Sequence, residues 1–332
     1  MRFLQTQKRS GRSGGGTTSR EASLYSISVL LVLLSFLVST PAQARRVRAG
    51  WLQKGLDRPV ERPVTLAVLD FGDSNIGRLA AEKLASSLKP ETSVGILDRE
   101  QVRAAARGSG YVGSINLSLN EARDLGAALG CDFFVLGDAQ TLRRSPSTVP
   151  VYFESYASIF LVSARTGRLI RWERPSFQGV TAPIAEQALL AQLSSGYAEP
   201  PYAFSIHRAQ VDERAERELA VDRETPIIQQ APDDDKVADA EGLRLPRPYR
   251  RLIPAYPASA ARAEVEATVD VLVDLDATGE VLSASITRWA GFGLDEAAVA
   301  TVRQLHFFPA LRNGIASPIR VLLRYNFRKP PK

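Results

Sequence analysis

Glu266-Ala267-Thr268-Val269-Asp270-Val271-Leu272-Val273-Asp274-Leu275 alternates around Val269, Val271 and Val273, and Asp276-Ala277-Thr278-Gly279 turns the chain into a second run over residues 281–287. A period of two places the valines on one face of a strand, and a turn tetrapeptide between two such runs predicts an antiparallel hairpin. Downstream, Leu294, Ala297, Ala298, Thr301, Val302 and Leu305 follow helical spacing, with Asp295 and Glu296 in the first turn opposing the positive end of the helix dipole. Phe307-Phe308-Pro309-Ala310 ends that helix, Asn313-Gly314 is a tight turn, and residues 319–327 form a last apolar strand. In that strand Val321, Leu323, Tyr325 and Phe327 share one face, expected to be the core face, and Arg320, Arg324 and Asn326 share the other.

Residues 62–204 read differently. The strand-length run at 64–71, helical spacing from Ile76 to Leu88 and a short strand at 94–97 are followed by a helix at 99–107. Ser118-Leu119-Asn120-Glu121 is a capping box, because Ser118 and Glu121 satisfy each other's orphan backbone donors at a helix start. A buried-type strand at 133–137, a pair at 152–163 and 169–172 turned at Arg165-Thr166-Gly167, and a helix at about 184–193 complete the order β-α-β-α-α-β-β-β-α. This is a mixed α/β layer fold.

Between the two blocks, residues 205–245 hold 6 bases and 11 acids, against net charges of +3 over residues 45–204 and +4 over residues 246–332. Sign alternation around residues 212–218 suits a short solvated helix, residues 231–241 lack an apolar period, and the stretch reads as an acidic linker. Consecutive carboxylates at Asp233 to Asp235 do not converge on a metal.

The whole chain of 332 residues carries a net charge of +6 and is 45% hydrophobic, which excludes disorder throughout and fits about two domains. The basic excess that invites a nucleic-acid reading lies mostly in residues 1–44, with five bases and one acid. There, Arg2, Lys8, Arg9, Arg12 and Arg20 precede an apolar run at 24–38 and the small residues Ala42 and Ala44, the pattern of an export signal. The run is shorter than the roughly 20 residues of a membrane-spanning helix, so cleavage is expected, with an uncleaved anchor as the alternative. Nucleic acid is therefore not an expected partner, and the periplasm or cell envelope, with inner-membrane anchoring if the leader is retained, is the expected location.

The last block resembles the TonB carboxy-terminal domain. The resemblance is carried by Pro254-Ala255-Tyr256-Pro257, residues 265–269 with Val271 and Val273, Asp276, Gly279, residues 294–298, His306-Phe307-Phe308-Pro309-Ala310, Asn313-Gly314 and Tyr325-Asn326-Phe327. It departs at Ala267, where the family usually has glycine. The resemblance implies a small antiparallel sheet with helices on one face, whose last strand takes up an extended peptide of an outer-membrane transporter by strand addition. On that implication the partner-binding residues are Tyr256, Pro257, Arg320, Leu322, Arg324 and Asn326, with ordinary packing and solubility as the alternative. Residues 62–204 resemble the periplasmic domain of the curli secretion subunit CsgG and the TolB amino-terminal domain, through residues 66–71, 97–99, 125–137 and 164–170. In those proteins the domain is an assembly module with no catalytic residues. The chain shows neither a lipid-attachment cysteine nor a pair of membrane-inserting hairpins, which argues against a secretion pore.

The fold class is thus α+β or mixed α/β: a leader at 1–44, an α/β layer domain at 62–204, a linker at 205–245 and a TonB-like domain at 246–332. No catalytic constellation or cofactor motif is legible. Asp274-Leu275-Asp276-Ala277-Thr278-Gly279 mimics an EF-hand start but has Ser285 where the bidentate glutamate belongs. Gly14-Gly15-Gly16-Thr17-Thr18 lacks the Gly-Lys-Ser/Thr ending of a phosphate loop. His207 and His306 lack a metal-ligand companion, His306 being expected at a helix end, and Cys131 reads as a small buried hydrophobe. A binding protein rather than an enzyme is expected, with no metal or cofactor. Two roles remain open: an energy transducer, which needs a retained anchor to engage inner-membrane motor proteins, and a soluble periplasmic scaffold without force transduction.

Overall fold

The structure, a computed structural model, describes residues 63–329 apart from 89–93, 146, 148–149, 196–200, 223–227 and 233; the leader expected at 1–44 lies outside the described residues. The first domain is built on a sheet in the order β2-β1-β3-β4-β5, with β6 also paired to β4. Here β1 is Val64–Val68, β2 Val94–Ile96, β3 Phe133–Arg144, β4 Tyr152–Ser163, β5 Leu169–Glu173 and β6 Ser176–Gly179. β1 runs parallel to both β2 and β3, whereas β3, β4 and β5 are antiparallel. Four helices cover both faces: α1 (Asn75–Leu88), α2 (Arg99–Gly108), α3 (Leu119–Leu129) and α4 (Ala182–Ser195). Phe133 and Val135 pack with α1 and α4, while Phe134 and Leu136 pack with α2 and α3. An uninterrupted apolar run suits this two-sided burial better than strict alternation. β3 extends seven residues beyond the expected 133–137, and the Ser118–Glu121 capping box forms as expected.

The acidic stretch differs from a solvated linker at both ends. Residues Pro201–Asp222 form α5, a helix of 22 residues. Tyr202, Ile206 and Ala209 sink into the α1/α4 core, and Glu213, only 7% exposed, follows on the same stripe. Its carboxylate accepts a 2.6 Å hydrogen bond from the Ser163 hydroxyl and pairs with Arg165, while Arg168 holds Glu216 at 2.6 Å. The charges that suggested solvation are thus partly satisfied by the β4–β5 turn. At the other end, Asp234 caps α6 (Asp235–Ala240), and β7 (Leu243–Arg244) pairs with β12 (Ala310–Arg312). Ala238 and Leu243 are buried, so this end of the expected linker packs into the second domain.

That domain centres on a three-stranded antiparallel sheet in the order β10-β9-β14, with β9 Ala267–Leu275, β10 Val281–Arg288 and β14 Ile319–Phe327. Helices α7 (Ala258–Ala263) and α8 (Leu294–Val302) bury Ala260, Leu294, Ala298 and Val302 against Val269, Val271 and Val273 on one face. Ala267 starts β9 in register with Phe327 without a break in the ladder. β8 (Arg247–Pro248) pairs β11 (Phe307–Phe308), and β12 pairs β13 (Ile315–Ser317). α8 stops at Val302, so His306 lies past the helix, its Nδ1 2.9 Å from the Glu280 carboxylate.

The two domains share one core. Trp289, 1% exposed, lies 5.9 Å from the Phe160 ring, and its Nε1–H donates to the Gly167 carbonyl at 2.9 Å. Phe292 packs edge-on against Phe160 and at 4.9 Å from Trp172. The Asn116 side chain acts as a strand residue: its Nδ2 donates to the Thr268 and Trp289 carbonyls and its Oδ1 accepts from the Thr268 N–H. The α3 capping box extends across the joint, since Glu121 also accepts from Arg288 at 2.9 Å.

Asp295 supports the loop that enters this joint, accepting from the Ala290 and Gly291 N–H groups at 2.8 and 2.9 Å. Burial pushes its carboxyl up to about 6. A carboxyl raised in the fold binds protons that the unfolded chain has released, so its ionisation costs about 2–3 kcal/mol above pH 6, a cost that disappears as the pH falls toward the unfolded value. Asp295→Asn removes this titration. Wild type is therefore expected to gain stability relative to Asp295→Asn as the pH is lowered from 8 to 5 in chemical denaturation, and a pH-independent difference would contradict the assignment.

Candidate protein-docking edge

β9 is paired on both sides, which leaves β14 at the edge of its sheet. All nine residues of β14 are in register with β9, from Ile319 opposite Leu275 to Phe327 opposite Ala267. Ile319 and Phe327 are buried, and Val321, Leu323 and Tyr325 pack against the same core. Arg320, Leu322, Arg324 and Asn326 occupy the opposite face.

On that face the arginines are braced. Arg320 makes a bidentate pair with Asp274, Nε to Oδ1 at 2.6 Å and Nη2 to Oδ2 at 3.0 Å. Arg324 does the same with Asp270 at 2.8 and 2.9 Å. Asp270 is 4% exposed and is also reached by Arg288 Nε at 3.4 Å, which carries the ion network on to Glu121 in the first domain. The hydrogen bonds from Arg320 hold the Asp274 carboxyl below the usual carboxylate range. Asn326 Oδ1 accepts from the Thr268 hydroxyl at 2.9 Å. These side chains tie β14 to β9 across the face on which Leu322 is exposed.

The backbone supplies the chemistry. Arg320 N–H donates to the Gln229 carbonyl at 2.9 Å and the Arg320 carbonyl accepts from the Ala231 N–H at 2.7 Å, both on the side away from β9. In an antiparallel ladder the direction of these groups alternates residue by residue, so the N–H and carbonyl of Leu322 and Asn326 point to the same outer side. Beyond Arg320 no strand of the described residues pairs there. Alongside runs a groove of about 440 Å³, lined by residues 323–327, by Leu305 and Phe307, and by a wall of Pro248 and residues 250–254. Ile253 on that wall is 86% exposed, and Leu322 is 38% exposed. Arg250, Arg251 and Arg324 line the groove and no acidic residue does.

Four of the six expected binding residues, Arg320, Leu322, Arg324 and Asn326, are thus brought together on the edge strand, though the guanidinium groups reach toward β9. The other two have structural surroundings. The Tyr256 hydroxyl donates to the Val265 carbonyl and its ring lies 6.4 Å from Phe327, while Pro257 precedes α7 and lies against Gly293. Neither lines the groove. Residues 250–253 escaped sequence reasoning because they form no periodic element. Elsewhere, burial pushes the Cys131 thiol up to about 12, and among the described residues no group of three or more His, Cys, Asp or Glu side chains is placed to hold a metal.

No curated protein matches the chain. Among solved structures it is similar to the hypothetical protein CT253 from Chlamydia trachomatis, at 12% identity over 41% of this chain and 97% of that one with a TM-score of 0.30. It is also similar to the LpoB C-terminal domain from Salmonella enterica (16% identity, 41% and 95% covered, TM-score 0.25). A third is the TonB C-terminal domain of Pseudomonas aeruginosa (18% identity, 26% and 89% covered, TM-score 0.23). Residues 253–328 match the model of the Gram-negative bacterial TonB protein C-terminal family, and this part of the chain is TonB-like.

Proposed function

We propose that this is a cell-envelope binding protein whose TonB-type domain takes up an extended segment of an outer-membrane transporter along the outer edge of β14. The observation that carries the reading is the coincidence of outward backbone groups at Leu322 and Asn326 with a groove along residues 323–327. Main-chain pairing supplies sequence-tolerant affinity, and the groove supplies selectivity. The apolar wall, with Arg250 and Arg251 on it, suits a segment that combines apolar residues with a carboxylate. Arg320 and Arg324 hold the acceptor strand rigid through Asp274 and Asp270, and Tyr256 and Pro257 fix the chain leading out of the groove wall. In this reading the protein works by binding, takes no cofactor and performs no catalysis.

The common core of the two domains favours a scaffold in which the first domain carries the acceptor edge as a fixed attachment. Energy transduction adds the requirement of an anchor retained in residues 1–44 to engage an inner-membrane motor. Sequencing the mature N-terminus separates these roles, because a chain that starts at Arg45 in a soluble fraction excludes transduction.

Strand addition itself is tested by a photo-crosslinking side chain at Leu322 in the full chain, with Leu282, 61% exposed on β10, as the comparison position. Leu322 is expected to capture an outer-membrane transporter and Leu282 to capture none. Equal capture at both positions would place binding elsewhere than on the β14 edge.

A further inference from the structure

The acceptor edge is partly occupied by the chain itself. Gln230 pairs in parallel with Arg320, through Arg320 N–H to the Gln229 carbonyl and Ala231 N–H to the Arg320 carbonyl. Gln229 is further tied by its Oε1, which accepts from Arg312 Nη2 at 2.7 Å. Those Arg320 groups belong to the same outward row as Leu322 and Asn326, so an incoming strand that spans the whole of β14 needs them too. The self-strand is short. Gln229 and Gln230 are exposed, and Pro232 follows at once. Proline lacks an N–H, so the outer side of the segment does not offer a continuous edge to yet another strand.

Resting on strand addition as the binding mode, we propose that residues 229–231 are a built-in competitor strand that limits the docking edge to residues 322–327 until a longer partner displaces it. The cationic groove lies beside residues 323–327 and away from the blocked residue, so a partner anchors there first and then competes for Arg320. The segment thereby selects for partners long enough to gain from displacing it. Its two backbone bonds and one exposed side-chain bond make it a displaceable contact rather than a permanent fourth strand.

The test uses the full chain and a fluorescein-labelled nine-residue peptide of alternating valine and threonine with an amino-terminal glutamate. Ala231→Pro removes the N–H that bonds to Arg320, and a second variant with residues 228–231 replaced by Gly-Ser-Gly-Ser loosens the segment without adding proline. Both are expected to bind the peptide about three- to tenfold more tightly than wild type, while a five-residue peptide of the same pattern gains nothing. Circular dichroism establishes that each variant is folded. Equal affinities of wild type and both variants for the long peptide would overturn the competitor role and leave strand addition standing. Absence of binding to any of the three proteins would overturn strand addition for this class of segment and the competitor role with it.

Discussion

Replacing Trp289 with alanine is expected to cost about 3–5 kcal/mol and to give two unfolding transitions where the shared core predicts one for the wild type. The indole is the largest fully buried side chain of the described residues, and it belongs to the core of both domains. Its loss leaves a cavity beside Phe160 and an unsatisfied Gly167 carbonyl. The neighbouring loop makes the effect cooperative. Gly291 and Gly293 take left-handed backbone, and so does Phe292 at φ 55°, a conformation that costs a side-chain-bearing residue about 1 kcal/mol or more. A Cβ at Gly291 would come within 2.9 Å of the Phe160 ring, so the loop has no room to shift inward. What holds it is Phe292 between Phe160 and Trp172, together with the Asp295 bonds to Ala290 and Gly291. Without Trp289 that support weakens and the TonB-type domain unfolds on its own curve. Calorimetry checks this: a single transition lowered by no more than a degree or two would mean that Asn116 and the Arg288–Glu121 pair suffice to join the domains.

The β9–β10 hairpin was legible because its information is local: alternating valines decide which face is buried, and the Asp276–Gly279 turn decides where the chain reverses. The capping box at Ser118 and Glu121 was legible for the same reason. The acidic stretch was misleading because its anchors straddle the boundary drawn from charge. Tyr202 lies before it, and the partners of Glu213 and Glu216 sit in a turn some fifty residues earlier. At the site, alternation separated Arg320 and Arg324 from Val321, Leu323 and Tyr325, which the structure supports. It carried no hint that Asp274 and Asp270 would brace the arginines, since that depends on the β9–β14 register. The pairing of Gln230 with Arg320 joins residues ninety apart and leaves no periodic trace in either. Trp289 lies in no periodic run, and its place in the core of the joint depends on contacts with Phe160 and Gly167 more than 120 residues earlier.

Proline at two adjacent positions of β14 is expected to have opposite consequences. Leu322 directs its N–H away from β9, on the same side as Arg320, whereas Leu323 directs its N–H toward β9. Leu322→Pro therefore removes a donor that the fold does not use, at a position where an edge strand tolerates proline. The variant should remain folded with only a modest loss of stability and should bind an extended partner segment at least tenfold more weakly. Leu323→Pro removes a ladder bond to β9 and displaces a side chain that packs on the core, so it should cost about 3 kcal/mol or more. Its binding loss then comes with lost structure and says little by itself. Thermal denaturation and peptide titration on the same two variants separate fold from function one residue apart. Undiminished binding by folded Leu322→Pro would remove the β14 edge from the binding mode, because no side-chain account of the groove predicts dependence on that one N–H.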